Sequence, residues 1–281
     1  MKKISFLFLI LLISYGNVQC QRQSKEYQLV WSDEFDYTGR PDDTKWTYQD
    51  GFVRNSEPQW YQPENAWVEN GVLTITAKRE KVKNPNYDAK SGDWRLNREY
   101  ADYTSACVVT IGKHAWLYGR FEVRARVSGL DGSWPAIWFL GDKTSGRGWP
   151  YCGEIDLMEH YQVNGIPSLL ANACWGGKGG RSVWNDAKIP TTKWLQKDPY
   201  WYEKYHVWRM DWDKDYIRLY MDNELLNEID LSKTVNPDGI NPFRLPQSIL
   251  LNLALRGSEK IDPDSFPIRF DVDYVRIYQK K

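Results

Sequence analysis

The chain has 281 residues, with 37 lysines and arginines set against 37 aspartates and glutamates. That length suits one large all-β domain or two small ones, and the even balance leaves no global field to draw in nucleic acid or an anionic membrane. Fifteen tryptophans and 18 tyrosines are more than one core usually needs. Flat aromatic faces lining a groove can hold sugar rings, which are apolar on their C–H faces and polar at their rims.

The N-terminus reads as an export signal. Lys2 and Lys3 precede the run Ile4 to Ile13, interrupted only by Ser5. It is too short to span a bilayer as a helix, so residues 1–20 are expected to be cleaved before Gln21, giving a secreted or extracytoplasmic protein. Lipidation at Cys20 is the rival reading, opposed by Gln19, because that processing prefers a small residue just before the cysteine. Cleavage removes two lysines and leaves a net charge of about −2. Cys107, Cys152 and Cys174 then remain, an odd number that completes no disulfide framework. They read as buried thiols, with one disulfide left open. His114, His160 and His206 are scattered, and no Cys/His cluster suggests zinc.

From Leu29 onward, short β-branched and aromatic runs recur between turn signals. Val72 to Ala77 follows the turn Glu69-Asn70-Gly71. Residues Arg120 to Val127 alternate charged and apolar, the mark of a half-buried strand. Further strands are expected at Ala136–Leu140, Ile155–Met158, Tyr205–Trp212, Tyr216–Met221, Ser248–Leu255 and Phe270–Tyr278, with a hairpin at Met221-Asp222-Asn223-Glu224. Two polar segments, Lys81–Tyr100 and Gly176–Pro199, read as long loops. Trp184 and Trp194 in the second favour a functional loop over a disordered one. Nothing shows a sustained helical period. The expectation is an all-β, jelly-roll β-sandwich with a concave substrate cleft, one catalytic domain over 27–279.

The chemistry centres on Gly153-Glu154-Ile155-Asp156-Leu157-Met158-Glu159-His160. On a strand, Glu154 and Asp156 share a face, but Glu159, five residues on, falls on the other. A one-residue bulge near Leu157–Met158 would return it, and bulges do re-aim side chains beside active sites. An exposed acidic edge strand is a poor alternative, since three like charges repel and Trp149-Pro150, Met158 and Tyr161 are not solvated flanks. A calcium site from the same acids is another, but one strand wraps that ion poorly. Glycoside hydrolysis needs such a pair of carboxyl groups, about 5.5 Å apart in the retaining geometry. Asp156 between them can hydrogen-bond Glu154 and keep it ionised, while nearby negative charge and apolar Met158 hold the proton on Glu159. A non-catalytic carbohydrate-binding sandwich would use the aromatics but has no use for three acids on one strand.

The run Glu-Ile-Asp-Leu-Met-Glu resembles the bulged active-site signature of glycoside hydrolase family 16, in its laminarinase-like branch. Trp31-Ser32-Asp33-Glu34-Phe35, Arg54 to Tyr61, Tyr118 to Glu122, Gly132 to Trp138 and Val272 to Tyr278 resemble further family segments in order. The likeness implies a secreted, monomeric endo-β-glycanase acting on a polysaccharide and needing no cofactor for catalysis. It makes Glu154 the nucleophile, Asp156 its helper and Glu159 the acid/base. It places Trp134 and Trp138 on the cleft floor, gives sugar contacts to Arg54, Asn55 and Glu57, and puts a structural calcium near Glu34, Gly71 and Asp273. His160, Asn172 and Trp175 are added as sugar contacts beside the catalytic strand. Two stretches depart from the branch. The strand Leu170 to Trp175 lacks its usual histidine, and Leu255-Arg256-Gly257-Ser258-Glu259 replaces a Gly-Gly-x-Trp-Pro-Gly turn. Because most of these motifs are of the laminarinase kind, a β-1,3- or mixed β-1,3/1,4-glucan is the expected substrate; the two departures, which would border the cleft, make a β-galactan of keratan, poly-N-acetyllactosamine or agar type the alternative. The basic loop Lys78–Arg98 reads as solvated surface, or as an attractor for an anionic glycan.

Overall fold

The computed structural model describes residues 26–142, 145–257 and 261–280; the expected signal segment 1–20 and the pair Ser258-Glu259 lie outside the described residues. In chain order the strands are β1 (Tyr27–Asp33), β2 (Thr47–Gln49), β3 (Gln59–Tyr61), β4 (Ala66–Glu69), β5 (Val72–Ala77), β6 (Val82–Lys83) and β7 (Tyr100–Ala101). Then come β8 (Tyr103–Ser105), β9 (Cys107–Val109), β10 (Gly119–Arg126), β11 (Ser133–Gly141), β12 (Glu154–Val163) and β13 (Ile166–Gly176). The chain closes with β14 (Ser182–Pro190), β15 (His206–Trp212), β16 (Tyr216–Met221), β17 (Glu224–Asp230), β18 (Gln247–Leu255) and β19 (Ile268–Lys280).

Two antiparallel sheets form the sandwich. One runs β17-β16-β15-β10-β19-β5-β4, with β1 also on β19; the other runs β14-β13-β12-β11-β18-β9-β2. Period-two patterning explains the packing. On β10, Phe121, Val123 and Ala125 point inward while Arg120, Glu122, Arg124 and Arg126 face solvent. Ile137 and Phe139 on β11 meet them from the second sheet, with Phe121 and Phe139 edge to face at 5.2 Å. Several tryptophans do serve the core: Trp46, Trp208 and Trp212 are fully buried. The cysteines Cys107, Cys152 and Cys174 are free and buried, as the odd count suggested.

The second sheet is apolar on its core face, and its other face carries the cleft. Strand β18 is buried along its whole length because core residues cover one side and cleft residues the other. The bulge falls where the spacing required it. Ile137 pairs with Met158 and the next residue, Trp138, with Asp156, so Leu157 is the inserted residue. Both Leu157 and Met158 turn into the core, fully buried.

One expectation is corrected. Gly176–Pro199 is not a long loop: Ser182–Pro190 is strand β14, the edge of the cleft sheet, paired throughout with β13. The signal was missed because the core side of this edge strand, Asn185, Ala187 and Ile189, opens on a polar residue and is only half-buried, so the alternation is weak. Its residues are half-buried or exposed in turn. Trp194, read as part of that loop, is buried and stacks on Trp201 at 5.8 Å.

Candidate active site

Strand pairing builds the site, because directly paired residues in adjacent strands share a face. Leu140 pairs with Glu154, which pairs with Cys174, which pairs with Trp184. The next row is Trp138, Asp156, Asn172 and Asp186, and beyond the bulge come Ala136, Glu159, Leu170 and Lys188. Chemistry and cleft wall are thus laid out across four strands.

The three acids are held differently. Glu154 accepts a hydrogen bond from the Trp149 indole N–H, 2.6 Å from Oε2. Burial raises its pKa, opposed by Trp149, by Asp156 and by the charge of Arg54. Asp156 is almost wholly enclosed. Burial, then the charges of Glu159 and Glu154, lift its pKa well above the carboxylate range, so it keeps a proton to donate to Glu154. Glu159 accepts from Trp134 Nε1 at 2.8 Å and from Asn172 Nδ2 at 3.3 Å. Burial first, and Glu154 second, push it to about 7. Burial pushes all three upward, but Trp149, Asp156 and Arg54 oppose the rise at Glu154, while neighbouring negative charge adds to it at Asp156 and Glu159, a difference that separates a base from an acid.

A loop between β2 and β3 closes over this face. The Arg54 guanidinium lies 4.9 Å from the Trp138 ring and is hydrogen-bonded to Gln49. Asn55, in a left-handed conformation, donates to Glu57 at 3.1 Å. Glu57 is buried and also accepts from Gln59 and Tyr61. Trp138 Nε1 donates to Asn252 at 2.7 Å. Arg256 lies over Trp134 and Tyr161, at 5.1 and 4.4 Å. A small pocket of about 60 Å³ sits against Glu154, Asp156 and Glu159. It shares walls with a cavity of about 720 Å³ reaching Trp149 and Trp184, and with another of about 710 Å³ reaching Arg98 and Tyr103. The cleft therefore continues past the acids on both sides.

Of the expected sugar contacts, Arg54, Asn55, Glu57, Trp134, Trp138 and Asn172 line this cleft. Two do not. His160 follows Glu159 on a regular strand and so faces the other way, buried, with Nε2 3.0 Å from the Tyr202 hydroxyl. Trp175 likewise alternates away from Cys174 and packs edge-on against Phe243 at 6.4 Å. The metal candidates lie elsewhere. Glu34 is bound by Arg276 at 2.7 Å, Asp273 by Arg124 at 2.5 Å, and Gly71 is in the β4–β5 turn. Among the described residues no group of three or more His, Cys, Asp and Glu could hold a metal ion. Two carboxylates already neutralised by arginines do not make a calcium cage from side chains. Arg98 is less free than a solvated loop residue, donating to the Glu57 and Ser56 carbonyls at 2.8 and 3.0 Å. Sequence reasoning did not single out Trp149 and Trp184 as cleft residues, whereas Asn252 and Arg256 fall in a stretch it set at the cleft border. Trp149 was legible as an unsolvated flank five residues before Glu154.

The raised pKa of Glu159 has a stability consequence. Folding lifts it from an ordinary 4.5 to about 7, so ionising it costs the folded state, and its contribution is lost as pH rises through that window. Glu159→Gln removes the ionisation. Its melting temperature relative to the unsubstituted protein is expected to climb between pH 4 and pH 8. A difference that stays flat across that range contradicts the burial of a titrating Glu159.

Comparison with known proteins fits this geometry. The sequence profile described as Glycosyl hydrolases family 16 matches residues 54–276. A beta-glucanase of Rhodothermus marinus is 35% identical, covering 99% of this chain and 95% of that protein. A solved structure from work on endo-acting O-glycanases of the human gut microbiota that initiate mucin breakdown is 36% identical, covers 91% of each chain and superposes with a TM-score of 0.81. The catalytic domain of an endo-1,3-beta-glucanase (laminarinase) from Thermotoga petrophila is 31% identical, covering 92% of this chain and 99% of that one, with a TM-score of 0.75. The chain belongs to glycosyl hydrolases family 16 and is a glycoside hydrolase that cuts internal bonds.

Proposed function

We propose that Glu154 is the nucleophile of a retaining hydrolysis, Glu159 its acid/base and Asp156 the proton-bearing partner that keeps Glu154 ionised. The observation that supports this best is the bulge at Leu157, which turns all three onto one face. In the first step Glu154 attacks the anomeric carbon while Glu159 gives its proton to the departing glycosidic oxygen. In the second, Glu159 takes a proton from water, which attacks the same carbon and releases Glu154. Trp134 then has two tasks, orienting Glu159 through its N–H and offering its ring to the sugar. A cleft that continues on both sides of the acids suits a chain entered at an internal bond.

The proposed substrate is a β-1,3- or mixed β-1,3/1,4-glucan, supported by the beta-glucanase and laminarinase relatives. A β-galactan of the keratan or poly-N-acetyllactosamine type is the second reading. It is favoured by a Keratan-sulfate endo-1,4-beta-galactosidase of Sphingobacterium multivorum, 30% identical and covering 90% of this chain and 56% of that protein. Glucose and galactose differ at O4, equatorial in one and axial in the other. A buried polar group left unpaired by the wrong epimer discriminates strongly. Asn172 Oδ1 is such a group, buried and without a hydrogen-bond partner in the protein.

Glu154→Gln and Glu159→Gln are each expected to lower hydrolysis by about two orders of magnitude or more without unfolding the domain. Laminarin, barley β-glucan, keratan sulfate, poly-N-acetyllactosamine and agar form the panel, and NMR of the first product is expected to show the β anomer. Activity kept in either variant, or an initial α anomer, removes the mechanism. Cleavage of the galactans alone moves the substrate to the second reading.

Two further proposals rest on sequence. Residues 1–20 are a cleaved export signal, supported by Lys2, Lys3 and the apolar run behind them, and the exported chain is expected to begin at Gln21 by N-terminal sequencing. Among the described residues, no helix is long and apolar enough to cross a membrane. A structural calcium near Glu34, Gly71 and Asp273 would need main-chain oxygens as its ligands, since Arg276 and Arg124 hold the carboxylates. Chelation with EGTA is then expected to lower the melting temperature, and an unchanged one removes the ion.

A further inference from the structure

Trp149 stands out among the cleft aromatics. It is 54% exposed, yet its N–H donates to Oε2 of Glu154 at 2.6 Å. An exposed indole could hydrogen-bond water instead, so its direction needs a cause. The loop on either side supplies it. Before Trp149, Arg147 is ion-paired with Asp238. After it, the Tyr151 hydroxyl donates to the Gly177 carbonyl at 3.1 Å, and Asn236 Nδ2 donates to the Tyr151 carbonyl at 2.9 Å. Cys152 N–H donates to the Gly148 carbonyl and Gly153 N–H to the Pro150 carbonyl, both at 3.1 Å, closing the loop onto the start of β12. The side chain is free of the core while its backbone is anchored at both ends.

We infer that Trp149 is a positioning residue for the nucleophile: its N–H occupies Oε2 of Glu154, leaves Oε1 to attack the sugar, and steadies the carboxylate each time its negative charge returns. The inference rests on the reading of Glu154 as nucleophile. In the first step a bond forms between Oε1 and the anomeric carbon, the bond from that carbon to the leaving oxygen breaks, and the proton of Glu159 goes to that oxygen. Oε2 becomes the carbonyl oxygen of the ester and still accepts from the indole. In the second step water attacks the anomeric carbon, its proton returns to Glu159, and the electron pair of the breaking C–Oε1 bond returns to Glu154. A donor that stabilises the carboxylate favours this departure. The ionisable groups facing Glu154 are Asp156 and Glu159 on its own strand, Cys152 in the loop, Cys174 on β13 and Arg54 above; Asp186 and Lys188 on β14 line the same cavity. Trp149 donates to Glu154 from an exposed position outside the strand, so it can be altered without recasting the strand's own groups.

The test removes the N–H alone. Trp149→Phe keeps an aromatic ring, and benzothienylalanine at position 149 swaps the N–H for sulfur while keeping the indole shape. Both are compared with the unsubstituted enzyme and with Glu154→Gln, on the polysaccharide of the panel that it cleaves fastest. A charge-assisted hydrogen bond of this kind corresponds to a fall in kcat of about 10- to 100-fold. KM is expected to fall with it, a glycosyl adduct on Glu154 to accumulate in the mass of the quenched protein, and the acid limb of kcat/KM to move to higher pH. The benzothienylalanine enzyme is expected to keep its melting temperature and show the same changes. Unchanged kcat and acid limb in it overturn the role, and so does a raised KM with unchanged kcat, which marks a sugar platform only. Loss of activity explained entirely by loss of folding in both variants also overturns it. If Glu154→Gln stays active, the nucleophile assignment itself falls. If Glu154→Gln is inactive but the acid limb of the other variants is unmoved, only the role of Trp149 falls.

Discussion

One residue of excess length in β12 governs the site. Without the bulge the strand would alternate regularly, and Glu159, five residues from Glu154, would point at the core. With it, two consecutive apolar residues, Leu157 and Met158, are both buried between the sheets, and the strand resumes on the opposite phase. The insertion is held from both neighbours, because the pairing to β11 and the pairing to β13 slip at the same place. Apolar burial on one side thus fixes the direction of a carboxylate on the other, and packing and catalysis cannot be altered independently at this point.

Gathering three carboxyl groups on one face has an electrostatic cost, and the surroundings show how it is met. Asp156 escapes ionisation by keeping its proton. Glu159 is pushed to about 7 yet retains two neutral donors, Trp134 and Asn172. Glu154 has the indole of Trp149 and the charge of Arg54, itself packed on Trp138. Most of these partners are neutral, so they orient the acids without cancelling the raised pKa values that acid catalysis requires.

The sandwich was legible wherever a strand had one apolar face, as on β10, and the bulge was legible because the Glu154–Glu159 spacing contradicts strand alternation. Edge strand β14 was not, since its core side, Asn185, Ala187 and Ile189, is short, opens on a polar residue and is only half-buried. His160 and Trp175 were misplaced for a related reason: closeness in sequence to Glu159 and Cys174 says little about direction on a strand that flips at every residue. Trp134 and Trp138 differ in a way the sequence could not give. Both reach the cleft, but Trp138 is 7% exposed with Arg54 against its ring, while Trp134 is half-buried and is the more open ring. The tryptophan count mixed two populations, core residues such as Trp208 and cleft residues such as Trp184, and only the fold separates them.

Because the cleft crosses the strands of its sheet, recognition is divided into lanes. Neighbouring strands stand about 4.8 Å apart, so a polysaccharide lying across them meets a fresh set of side chains at nearly every ring. The lane of β12 carries the three acids, while β14, two lanes away, offers Trp184, Asp186 and Lys188 to the same cavity. A lineage can therefore rewrite the outer lanes, and with them which glycan is accepted, while the bulged strand stays as it is.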